Sequence, residues 1–80
     1  MFTKDIKKGT RIKMANGWFG TMKDNARGTT RIVEVEGYYT ETGSVYSHDI
    51  QSVQVGDSWV VVEHTEKELQ LKQQVEALLG

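Results

Sequence analysis

Eighty residues, none of them cysteine or proline, carry ten basic and eleven acidic side chains, a net charge of −1. That length is one domain near the small end of what folds alone, with no disulfide or thiolate metal site to staple it. No apolar run approaches the roughly 20 residues of a spanning helix, and the charges within residues 1–10 interrupt the apolar stretch a signal peptide needs, so a cytoplasmic location is expected.

Residues 10–14 open the pattern. Ile12 and Met14 share one side and Arg11 and Lys13 the other, the period of a half-buried strand. Asn16-Gly17 is a strong hairpin signal, because both residues tolerate positive φ. Residues 18–23 return as a second strand, and residues 24–28 read as a polar loop. Residues 29–36 are the longest strand candidate. Arg31, Val33 and Val35 lie on one face, and Ile32, Glu34 and Glu36 on the wetter one. Residues 43–48 form a fourth strand. Ser47-His48-Asp49-Ile50 reads as a tight or 3₁₀ turn with Ile50 pointing inward. Residues 52–55 and 58–63 pair across Gly56-Asp57. Trp59-Val60-Val61-Val62 is the most apolar run in the chain and reads as a central strand covered on both faces. The alternation gives an expected core of Ile6, Ile12, Met14, Met22, Val33, Val35, Val45, Ile50, Val53 and Val61.

After His64 the period changes. Thr65 and Glu68 have the spacing of a capping box, and Leu71, Val75, Leu78 and Leu79 follow as a helical stripe. A helix of about 14 residues is marginal by itself and must dock, either on the strands before it or on a partner chain. Leu69 lies off that stripe, where it either touches the strand end near His64 or supports self-association.

The run Ile6-Lys7-Lys8-Gly9-Thr10-Arg11-Ile12-Lys13-Met14, followed by Gly17-Trp18-Phe19-Gly20-Thr21-Met22, resembles the opening of an SH3-like barrel of the KOW type. Residues 43–53 are similar to the fourth strand, 3₁₀ turn and closing strand of such barrels. The resemblance implies a mainly β fold: a small SH3-like barrel of five to six antiparallel strands over residues 1–64. One amphipathic helix over 65–80 follows it, packed on the barrel or on a partner chain. It also implies an adaptor that binds RNA or DNA, through the ribosome or the transcription machinery. Two features depart from the family. The strand at 58–63 and the helix lie beyond a minimal barrel, and the chain is acidic where nucleic-acid-binding KOW domains are usually basic. Its length and style are also similar to small accessory reading frames of large tailed phages.

The charge is split along the chain. Residues 1–31 hold eight basic side chains against two acids, a charge of +6, and residues 32–80 hold two against nine, a charge of −7. A basic half with interleaved aromatics suits nucleic acid, since cations meet phosphate and rings stack on bases. The expected nucleic-acid contacts are Lys7, Lys8, Arg11, Lys13, Trp18, Lys23, Arg27 and Arg31. The competing reading is a solvated strand face with Trp18 in the core. The alternative function is a protein–protein adaptor, acting through the acidic half, Tyr38, Tyr39, Leu69, Leu71, Val75 and Leu78, or through self-association. A continuous basic face would favour the first function, and interspersed charges the second. His48 and His64 lie in different elements and cannot fill a tetrahedral zinc shell, and no serine has a nucleophile-elbow context. No metal, cofactor, membrane contact, small-molecule substrate or enzymatic activity is expected.

Overall fold

The computed structural model describes residues 1–24, 30–37 and 41–79. Of the expected loop at 24–28, Asp24 instead ends a strand, and residues 25–28, with Arg27, lie outside the described residues, as does the tyrosine pair Tyr38 and Tyr39. The chain is mainly β. Its strands are β1 (Arg11–Met14), β2 (Phe19–Asp24), β3 (Thr30–Val35), β4 (Glu41–Tyr46), β5 (Ile50–Val55) and β6 (Ser58–Val61), followed by helix α1 (Glu66–Leu79). All six strands pair antiparallel in one sheet of order β4-β3-β2-β1-β5-β6.

The connection from β4 to β5 shapes this sheet. Only the 3₁₀ turn Ser47–Asp49 joins them, yet β3, β2 and β1 lie between them in the sheet. Four strand spacings span about 19 Å if the sheet is flat. Four peptide steps reach about 14 Å when fully extended, and a 3₁₀ turn reaches less. The sheet must therefore curl, and register shifts at Lys13/Met14 and Met22/Asp24 help, because bulges bend and twist strands. Among the described residues, β4 and β6 remain its two edges.

The curled sheet encloses Ile6, Ile12, Met14, Met22, Val33, Ile50, Val53 and Val62, with Val35 and Val45 partly buried against them. Gly20 is fixed by a close approach between strands. A Cβ there would lie 2.7 Å from Val33 Cγ1 and 2.9 Å from the Glu34 carbonyl oxygen.

Three expectations are corrected. The Trp59–Val62 run is an edge, not a central strand, and every residue of β6 is exposed. Val61 is 70% exposed, and Val62 takes the core position instead. The cause is register. Val61 pairs with Ser52, which pairs with Lys13, and this row lies on the face away from the core. At the first hairpin only Gly17 has a positive φ, at 90°, and Asn16 does not. The Met14 N–H donates to Trp18 O and the Gly17 N–H to Met14 O, a three-residue loop in place of a two-residue one.

Candidate binding face

Strand alternation sends Arg11 and Lys13 to the outer face, opposite the core residues Ile12 and Met14. The pairs Arg11↔Thr21 and Lys13↔Phe19 bring β2 into the same rows, and Thr21↔Glu34 adds β3. On the other flank, Lys13↔Ser52, Ser52↔Val61 and Gln54↔Trp59 add β5 and β6. Phe19 and Trp59 stand on strands separated by β1 and β5, yet their ring centroids are 5.6 Å apart. The Arg11 guanidinium carbon lies 4.6 Å from the Phe19 centroid and 5.9 Å from that of Trp59. Lys13 Nζ lies 5.9 Å from the Phe19 centroid. These are cation–π distances.

Acids are interleaved with these cations. Arg11 Nη2 donates to Glu36 Oε2 at 3.1 Å and Arg11 Nε to Glu36 Oε1 at 3.4 Å. Lys23 Nζ lies 3.2 Å from Glu34 Oε2. Both pairs are solvent-exposed, so they orient side chains more than they stabilise the fold. The face is therefore aromatic with alternating charge, and the exposed Val61 extends it along β6.

The other expected contacts scatter. Lys7 and Lys8 are exposed ahead of β1, and Trp18 is 55% exposed at the hairpin, where its backbone N–H donates to Asn16 Oδ1 at 3.0 Å. Arg31 does not join them. It is 5% exposed on the core face with Val33, as a period of two requires, and its Nη1 donates to Thr30 O at 2.8 Å. Leu71 and Val75 are half-buried on α1, whereas Leu69 and Leu78 are exposed. Trp59 is the residue that sequence reasoning missed, because it sits in an apolar run. The available signal was position: the strand hairpins back on β5 across Gly56-Asp57 and then gives way to a helix.

At the end of the sheet, the first turns of α1 pack on the 3₁₀ turn Ser47–Asp49. A half-open cleft of about 560 Å³ lies there, lined in part by Phe2, Arg31, Ser47, Glu68, Leu71 and Gln74. The capping box forms as its spacing predicts. The Glu68 N–H donates to Thr65 Oγ1 at 3.2 Å and the Thr65 N–H to Glu68 Oε1 at 2.9 Å. Desolvation pushes the Glu68 carboxyl up. The Thr65 backbone N–H, the Ser47 and Thr65 hydroxyls and the nearby His64 outweigh it, so the net shift is downward. The Ser47 hydroxyl acts on Glu68 from outside good hydrogen-bond geometry. His64 Nε2 lies 2.9 Å from Ile50 O and ties the start of the helix to β5. His48 and Asp49 do not diverge as neighbours on a strand would. They sit in the 3₁₀ turn, with Nε2 3.6 Å from Asp49 Oδ1 and the imidazole stacked on Tyr46 at 5.1 Å. Among the described residues no group of three or more His, Asp or Glu could hold a metal ion, and no helix is long and apolar enough to cross a membrane.

No protein-family model, curated protein or solved structure matches the chain.

Proposed function

We propose that this chain is a small, non-enzymatic binding module of the SH3-like type that docks on a protein partner through the outer face of β1, β2, β5 and β6. The strand order β4-β3-β2-β1-β5 and the 3₁₀ turn between β4 and β5 support the SH3-like reading. One observation carries the function: Arg11 lies against the rings of Phe19 and Trp59 while paired to Glu36. Aromatics and arginine are the side chains enriched at protein interfaces and their hot spots. A surface for phosphate would hold cations of one sign together, and here Glu34 and Glu36 stand among them. Affinity capture from the native cell tests the proposal. A stoichiometric protein partner should be retained by the wild type and lost with Trp59→Ala and Arg11→Glu, while Leu78→Ala keeps it. Retention that is unchanged in both outer-face variants would refute it.

A second reading has its own support. Lys13 over the Phe19 ring offers a cation and a stacking surface to single-stranded nucleic acid. It predicts binding to RNA or DNA oligonucleotides that weakens steeply with salt and is lost in Lys13→Glu. No binding at low salt would remove it.

A further inference from the structure

We infer that β6 pairs edge to edge with β6 of a second copy of this chain, joining two sheets into one. This goes beyond the outer-face reading and does not depend on it.

The backbone carries the inference. The Val62 N–H donates to Gln51 O, which continues the β5–β6 ladder, so Ser58, Val60 and Val62 direct their N–H and C=O groups toward β5. Trp59, Val61 and Glu63 direct theirs outward, and the Glu63 N–H bonds Met1 O. The N-terminal bridge covers the edge at Glu63. Among the described residues no strand covers it at Trp59 and Val61.

Edge strands are ordinarily guarded by short length, cover, lysine, proline, a bulge or an inward charge. β6 is short and its end at Glu63 is covered, but Trp59 and Val61 carry none of the other guards. Its sequence is Ser58-Trp59-Val60-Val61, its register with β5 is unbroken and all four residues are exposed. The opposite edge, β4, is polar, with Glu41, Thr42 and Ser44.

The occupant follows from self-complementarity. An antiparallel copy centred on Val60 sets Trp59 of each chain across from Val61 of the other, joined by the outward-facing groups of both. Large meets small, both are apolar, and no charge lies within the paired strand. Pairing is confined to Trp59, Val60 and Val61: beyond them Met1 and Phe2 lie along Val62 and Glu63, so Ser58 and Asp57 of the second copy turn aside. A four-residue strand is short, so the dimer should be weak and concentration-dependent. Pairing would set two Arg11–Phe19–Trp59 clusters on one continuous surface, which makes any partner contact bivalent.

Sedimentation equilibrium from micromolar to millimolar concentration tests the pairing. The wild type should rise from monomer toward dimer mass. Val61→Lys places a charge on the edge. Val61→Pro removes only an outward N–H and leaves the β5 ladder intact. Both should stay monomeric with wild-type circular dichroism, while Leu78→Lys on α1 should still dimerise. If Val61→Pro fails to fold, Val61→Lys carries the test alone, because that side chain is already solvent-exposed. A wild type that is monomeric throughout, or a dimer that survives Val61→Lys, overturns the inference. Neither result touches the outer-face reading, whose capture assay is read separately.

Discussion

Two side chains and one missing side chain decide much of the local structure. Gly20 is held where β2 and β3 approach too closely for a Cβ. Gly20→Ala should destabilise the fold by about 1–3 kcal/mol, because Val33 and the Glu34 carbonyl must shift to admit a methyl group. Urea denaturation reads this directly, and an unchanged midpoint would mean that the two strands are less tightly apposed. Glu68 sets a pH dependence. Its carboxyl is lowered in the folded state, so its contribution is complete above the unfolded carboxyl range and is lost as pH falls through the folded value. The stability gap between wild type and Glu68→Gln should therefore be widest near neutrality and close on acidification. A gap that widens toward acid would mean that folding raises the Glu68 carboxyl instead of lowering it. Arg31 shows how a charge can be misassigned: its strand parity already placed it with Val33, yet its charge grouped it with the basic face.

At the scale of elements, β6 offers the sharpest check of facing. Val62→Ala should cost about 2 kcal/mol from lost burial and a residual cavity. Val61→Ala should stay within about 0.5 kcal/mol, as surface changes do. Thermal melts of the two variants separate the faces, and equal losses would contradict the register. The strands, the Ser47–Asp49 turn and the capped helix were legible in the sequence, because each has a local signature in alternation, turn residues or capping spacing. The facing of β6 was not. Four consecutive apolar residues have no alternation to read, and the parity was set by pairing with Ser52, a non-local choice. The docking of α1 was legible only in part. Leu71 and Val75 are half-buried as the stripe implies, but Leu78 is 87% exposed, so the end of the helix runs beyond the Ser47–Asp49 turn it packs on.

Across the whole molecule, the charge split of the sequence does not become a split of surfaces. Folding brings Glu36 to Arg11 and Glu34 to Lys23, so acids from the second half of the chain land among cations of the first. Pairing of β1, β2 and β3 causes this: Thr21 pairs with both Arg11 and Glu34, which puts opposite charges in one row. No pattern local to a strand contains that information, so the aromatic–cation face became visible only with the sheet assembled. The most direct test of the outer face as the contact surface is photocrosslinking in the native cell. A photoreactive residue replaces Thr21, which lies on that face with β1 and β5 between it and the β6 edge. A matching control replaces Leu78. The outer-face reading predicts a discrete protein adduct from position 21 and none of the same mass from position 78. An adduct removed by nuclease, or the same adduct from both positions, would contradict it.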